Sequence, residues 1–73
     1  MAIQIVMDRT GDSRHRFDPS DARELAKAEQ RFRELTRAGF TAAVRIGPGD
    51  VYRIRSFDPS AEQIVFFPRL VGG

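Results

Sequence analysis

The residues best suited to take part in a chemical reaction are the last five, Arg69-Leu70-Val71-Gly72-Gly73. Two glycines here add no side chain to a core. They are also costly to order, because glycine loses more conformational freedom than any other residue when it is fixed. An extended segment without Cβ atoms can instead enter a narrow enzyme channel and present the α-carboxylate of Gly73. That carboxylate can be adenylated and then passed to a thiol, an amine or a sulfur donor. The simpler interpretation is an ordinary frayed terminus, so the elements that precede these residues must decide.

Length and composition predict one small globular domain. A chain of 73 residues buries only about 60% of the surface that it exposes when unfolded, so its core must be efficient. There is no cysteine, which excludes a disulfide and a thiolate zinc site, and the one histidine, His15, cannot form a metal site unaided. We therefore expect no metal and no bound cofactor.

The charge pattern argues against nucleic acid and membranes as partners. The pI is 9.9 although the net charge is only +2, because all but one of the basic residues are arginine. Basic residues alternate with acidic ones, whereas nucleic-acid binders usually cluster basic residues on one face.

No apolar run approaches the roughly 20 residues of a membrane span, and the N-terminus does not resemble a signal peptide. We expect a soluble cytoplasmic protein.

The first half of the chain predicts a β-hairpin followed by a helix. Ile3, Ile5 and Met7 alternate with Gln4, Val6 and Asp8. This period of two is typical of a strand with one buried face. Turn residues at 10–13 and a strand at 14–18 complete the hairpin. A helix is predicted near 19–38, capped by Asp18 or Ser20 and ended by Gly39. Its apolar stripe is Leu25, Ala28, Phe32 and Leu35, and its opposite side is Arg23, Lys27, Gln30 and Glu34.

The second half predicts a second hairpin and one further strand. Alternating apolar residues give strands over 40–46 and 51–57, joined by the turn Gly47-Pro48-Gly49-Asp50. The sequence Phe-Asp-Pro-Ser occurs at 17–20 and again at 57–60, and we interpret both copies as a strand leading into a helical turn. The second copy leaves room for a single turn over 60–63, because residues 64–67 form a strand.

This order of elements predicts an α+β fold. A helix with one apolar side must lie across a sheet, here a mixed sheet of four or five strands. We expect the domain to cover residues 1–68 and residues 69–73 to form a flexible C-terminal segment.

The whole chain resembles ubiquitin and the β-grasp ubiquitin-like proteins. The opening Ile3-Gln4-Ile5-Val6, the turn Thr10-Gly11 and the helix entry Pro19-Ser20-Asp21 are similar to ubiquitin at nearly the same offsets. The close, Arg69-Leu70-Val71-Gly72-Gly73, is similar to its C-terminus. The middle, residues 39–57, departs from ubiquitin and forms its own hairpin.

The resemblance implies that the chain is a substrate of enzymes and not itself an enzyme. In this family an activating enzyme uses ATP to adenylate the C-terminal glycine, which corresponds to Gly73, with Gly72 before it. Arg69, Leu70 and Val71 correspond to the extended segment that such an enzyme grips. A conjugating enzyme would pass the acyl group to amines of target proteins, and a JAB-type metalloprotease would remove it.

Three functions remain open at this point. The hairpin and helix entry favour a protein modifier, and the arginine-rich composition favours a bacterial one, of the kind found in conjugation operons linked to antiphage defence. The first alternative is a sulfur carrier of molybdopterin or thiamin synthesis, whose terminal glycine becomes a thiocarboxylate. The second is a β-grasp adaptor that only binds partners.

Two further positions are candidates for interaction. Phe66 and Phe67 are adjacent in a strand and must face opposite sides, so only one can enter the core beside Phe32 and Leu35. We expect Phe67 to lie outside, with Val65 and either Val51 or Phe57, as a partner-binding patch. The alternative is that these are scattered exposed apolar residues, which are normal.

Lys27 is the single lysine and therefore the candidate site for chains of this protein. It lies on the polar side of the predicted helix, where its ammonium group should be in water. Chain growth could otherwise use only the N-terminal amine. The alternative is that Lys27 is an ordinary solvated helix residue and that the protein is attached singly.

Overall fold

The structure, a computed structural model, describes residues 1–68. In this part of the chain five strands and one α-helix follow one another in the predicted order. Their bounds are Ala2–Asp8 for β1, Gly11–Phe17 for β2, Ala22–Arg37 for α1, Phe40–Gly47 for β3, Asp50–Ile54 for β4 and Gln63–Pro68 for β5. Residues 69–73, with the predicted C-terminal segment, lie outside the described residues.

The strands form one mixed sheet in the order β2-β1-β5-β3-β4. β1 and β5 are parallel, and all the other neighbours are antiparallel. The helix packs across one face of this sheet, where Phe32 joins the main apolar core. The predicted α+β architecture is therefore confirmed, and the arrangement is compatible with a β-grasp fold.

α1 is shorter at its start than the sequence pattern predicts. Asp21, not Asp18 or Ser20, is the N-cap, because its side chain accepts hydrogen bonds from the backbone N–H groups of Arg23 and Glu24. The apolar stripe is confirmed, with Ala28 and Phe32 buried. Gly39 ends the helix with a φ of 102°, a conformation that favours glycine.

The prediction that Ile3, Ile5 and Met7 form the one buried face of β1 is wrong. The face that meets α1 carries Gln4 and Val6, which are 0% and 8% exposed. On the opposite face Ile5 is also only 8% exposed, because β1 lies between β2 and β5, but Met7 is 42% exposed.

The first hairpin turn also lies earlier than predicted. It consists of Arg9 and Thr10, and β2 begins at Gly11 instead of at residue 14. Gly11 has a φ of 128°, which only glycine adopts readily, so the strand pairing can close around a two-residue loop. β4 likewise ends at Ile54 and not at residue 57.

The repeated Phe-Asp-Pro-Ser sequence forms the same local structure twice, but it is not a helical turn. Asp18 accepts hydrogen bonds from the backbone N–H and the hydroxyl of Ser20, and Asp58 does the same with Ser60. These bonds lower the pKa of both carboxyl groups. The helical turn predicted over 60–63 is wrong, because the second copy is a β-turn closed from Ala61 N–H to the Asp58 carbonyl.

Four phenylalanines hold the helix and the sheet together. Phe32 packs edge-to-face on Phe66, with ring centroids 5.7 Å apart, and on Phe57 at 5.9 Å. Phe17 meets Phe57 at 6.5 Å, so the phenylalanines of the two Phe-Asp-Pro-Ser copies are in contact. Phe57 therefore belongs to the core, and its placement in an outer patch is wrong.

Candidate functional site

The residues predicted to react and the segment predicted to be held by an activating enzyme both lie outside the described residues. The former are Gly72 and Gly73, and the latter is Arg69, Leu70 and Val71. The structure does describe the strand that leads to them. β5 is the central strand of the sheet, paired with β1 on one side and β3 on the other. It ends at Pro68, opposite Phe40. Any group attached beyond Pro68 is thus anchored to the strand with neighbours on both sides.

Val65 and Phe67 lie on the outer face, which we define as the surface of the sheet away from α1. Val65 pairs with Ile5 on β1 and Ala43 on β3, and it is 9% exposed. Phe67 lies opposite Thr41 and is half-buried. Phe66 points inward to Phe32, as the alternation predicts.

A shallow groove of about 440 Å³ crosses the outer face. Val51, which the sequence offered for the patch, lines it and is 55% exposed. Arg14, Arg45 and Asp12 form part of its rim. The structure thus brings Val51, Val65 and Phe67 to one surface, and whether a partner binds there stays a prediction.

A buried polar network lies on the other side of the sheet. The Gln4 side chain is completely buried, and its Nε2 donates to the carbonyl oxygen of Ala28 at 2.9 Å. Arg31 Nη1 donates to Gln4 Oε1 at the same distance. No buried side-chain polar atom within residues 1–68 is left without a hydrogen bond. The network ties β1 to α1 by a polar contact inside an apolar interface.

His15 lies opposite Gln4 on β2 and is half-buried. Burial lowers the pKa of its imidazole, and the nearby positive charge of Arg31 lowers this pKa further. His15 therefore favours its neutral form beside the Gln4 network. Nothing in this arrangement gives it a catalytic partner among the described residues.

The lowered pKa of His15 predicts a pH dependence of stability. Because the unfolded state takes up the proton more readily, the free energy of unfolding should fall as the pH drops from above 6.5 through the folded-state pKa. We expect urea unfolding midpoints measured between pH 8 and 5.5 to decrease, and to decrease less in His15→Gln. An equal decrease in both proteins would assign the effect to other groups.

Lys27 is exposed on α1, as predicted. Its neighbours one turn away, Arg23 and Arg31, are both cationic, and Arg31 turns towards Gln4. The ammonium group of Lys27 is thus accessible to an enzyme, which is a requirement for chain formation and not evidence of it.

Residues 1–68 contain neither a metal-binding cluster nor a membrane-spanning helix. No group of three His, Asp or Glu side chains lies close enough together there to hold a metal ion. The helix in this range does not have the length and apolar character needed to cross a membrane.

Comparisons with models of protein families, with curated proteins and with solved structures give no match to this chain. The resemblance to ubiquitin-like proteins therefore stays a prediction from the sequence.

Sequence reasoning missed the Gln4 network. A signal was present, since a glutamine stands between two isoleucines in an apolar strand. A buried amide requires hydrogen-bond partners, but the sequence does not show which face of β1 meets the helix.

Proposed function

We propose that this protein is a ubiquitin-like modifier and that the carboxylate of Gly73 is its reacting group. The carboxylate attacks the α-phosphate of ATP in an activating enzyme, which forms an acyl-adenylate and releases pyrophosphate. An enzyme cysteine displaces AMP to give a thioester. An amine of a target protein then displaces the thiolate and forms an amide. The chain supplies the acyl group, and its partner enzymes supply the catalytic side chains.

One observation carries this proposal: Gly72 and Gly73 are the fourth and fifth residues after Pro68, at the end of the central strand of an α+β sheet compatible with a β-grasp. Because β5 is paired with a strand on each side, an enzyme could bind the folded domain while it acts on the residues that follow β5. Arg69, Leu70 and Val71 are the residues an activating enzyme would grip.

The proposal includes the partners that the resemblance implies. These are an ATP-using activating enzyme, a conjugating enzyme and a JAB-type deconjugating protease, with proteins as targets. We place the system in the cytoplasm of a bacterium, in a conjugation operon of the antiphage type. The protein itself is not an enzyme and binds no cofactor.

The direct test is conjugation in the native host. Tagged protein, expressed with its neighbouring genes, should form adducts that survive SDS and reductant, and deletion of Gly72-Gly73 should abolish them. The deleted residues lie beyond β5, so the urea unfolding midpoint should not change, which separates loss of chemistry from loss of fold. Equal conjugation by the truncated protein would rule out the modifier function.

The same preparation distinguishes the sulfur-carrier alternative. Intact-mass measurement of the unconjugated protein would then show the gain of one oxygen-to-sulfur exchange at the C-terminus. A modifier should show the unexchanged carboxylate together with amide-linked adducts. Binding of partners with neither product would favour the adaptor alternative.

The candidate chain-forming residue can be tested in the same assay. Trypsin cuts after Arg69, so an attached copy leaves Leu-Val-Gly-Gly on the modified amine. That remnant on Lys27 would support chains, and Lys27→Arg should then reduce a ladder of adducts to single additions. A ladder that persists in Lys27→Arg protein with a blocked N-terminus would exclude them.

A further inference from the structure

Three arginines from two separate parts of the sequence line one groove. Arg33 and Arg37 come from the C-terminal half of α1, and Arg55 from the segment just after β4. No two of them are adjacent in the chain, so the sequence alone shows no basic cluster. The fold creates the cluster by bringing the C-terminal half of α1 close to the segment that follows β4.

This surface, which we call the α1–β4 groove, is an open cavity of about 510 Å³. A second cavity of about 550 Å³ adjoins it at Thr36 and Arg55. Arg53 lines only that second cavity, and it pairs with Ala43, opposite Val65, so its side chain belongs to the outer face.

The groove is positively charged. Three arginines and one glutamate line it, an excess of two positive charges. The one carboxylate, Glu29, is already bonded to Arg33 at 2.9 Å. Arg37 and Arg55 have no carboxylate within salt-bridge distance in the described part of the chain.

The floor of the groove is apolar. Phe32 and Phe57 form it. Phe32 is 2% exposed and Phe57 is half-buried. Arginine side chains therefore stand around a floor that can accept an apolar side chain.

We propose that the α1–β4 groove binds an acidic segment of a partner protein. Carboxylates of that segment pair with the guanidinium groups of Arg37 and Arg55, whose planar donors match carboxylate oxygens. An apolar side chain between the carboxylates lies on the Phe57 end of the floor. This binding does not depend on the chemistry proposed for Gly73.

Charge complementarity selects an acidic segment, and the floor selects a polypeptide over single-stranded nucleic acid. Bases bind single-strand proteins by stacking on accessible aromatic faces. Here the Phe32 ring is buried between Phe57 and Phe66, and Phe57 also contacts Phe17. A free inorganic anion would meet exposed arginines near the negative end of the α1 dipole, without an apolar contact to add affinity.

The test uses the full chain and three fluorescent probes at low ionic strength. The first is a twelve-residue peptide of Glu-Glu-Leu-Glu repeats, the second has Gln in place of each Glu, and the third is a twelve-nucleotide oligo-dT. We expect the Glu peptide to bind best. R37Q/R55Q should weaken its binding about tenfold or more, because two charge-assisted contacts are lost.

The matched control is R14Q/R16Q, which removes the same charge from β2 on the outer face. It should change the affinity by less than about twofold if the groove, and not the net charge, binds the peptide. Amide shift changes on adding the Glu peptide should lie within 33–37 and 55–57. Equal loss in both double variants, equal binding of the Gln peptide, tighter binding of the oligonucleotide, no binding, or shifts on the outer face would each overturn the proposal.

Discussion

Replacing Phe66 with alanine is expected to lower the free energy of unfolding by about 3–5 kcal/mol. Phe66 is 0% exposed on the central strand and packs its ring against Phe32. The substitution removes apolar contact and leaves a cavity where α1 meets the sheet. A domain of this size has a stability of only about 4–11 kcal/mol, so much of the protein should be unfolded at room temperature with moderate urea. Urea unfolding followed by circular dichroism measures the effect.

Phe67→Ala is the matched control, since it removes the same atoms from the next residue on the opposite face. Phe67 is half-buried and has no helix above it. We expect a loss of about 1 kcal/mol, because less apolar surface returns to water. If Phe67→Ala were as destabilising as Phe66→Ala, the outer face would have to be covered, and its groove could not be a free surface.

Replacing Gln4 with alanine is expected to cost about 2–4 kcal/mol, the second largest effect. The substitution leaves a cavity between β1 and α1 and removes the acceptor for Arg31 and a donor to the Ala28 carbonyl. Gln63→Ala is the control, because Gln63 is half-buried on β5 and has no side-chain hydrogen bond within residues 1–68. It should cost less than about 1 kcal/mol.

A double-mutant cycle isolates the bond between Gln4 and Arg31. Arg31→Ala alone removes the guanidinium, and the double variant with Gln4→Ala removes both groups. We expect a coupling energy of about 1–2 kcal/mol, as for a hydrogen bond to a charged group that is partly buried. Additive effects of the two substitutions would mean that Gln4 stabilises the protein through its packing and its bond to Ala28, and not through Arg31.

The sequence was sufficient for the order of the strands and of α1, although not for the β-turn at 58–61. The stripe from Leu25 to Leu35 recurs at helical spacing, and Gly39 supplies the positive φ that ends α1. The turn around Pro48 separates two alternating runs, which became β3 and β4. Each of these features depends on residues close together in the chain, where local geometry determines the outcome.

Features that depend on distant neighbours could not be predicted. Periodicity places Ile5 and Val6 on opposite faces of β1, but only the fold shows that α1 covers the face of Val6. The sequence pattern offered Asp18 or Ser20 as N-cap, yet these two residues bond each other and Asp21 caps the helix. Phe57 follows an edge strand in sequence, yet contacts with Phe17 and Phe32 place it in the core.

The candidate sites divide in the same way. The chemistry assigned to Gly73 comes from residue types at the end of the sequence, and the fold supplies only its anchor. The α1–β4 groove is the opposite case. The pair of Arg33 and Arg37 is visible in the sequence, but only the fold adds Arg55 to it.

The parallel pairing of β1 and β5 determines how the protein responds to mechanical force. Ile3 lies beside Gln63 and Val6 beside Phe66, so the two strands run in the same direction. Pulling Met1 one way and Pro68 the other would slide these strands along each other in shear. All the hydrogen bonds between them then bear the load together, whereas a hairpin pulled at its open end breaks one bond at a time. A molecule attached beyond Pro68 and pulled against the N-terminus would therefore meet the most force-resistant direction of the sheet.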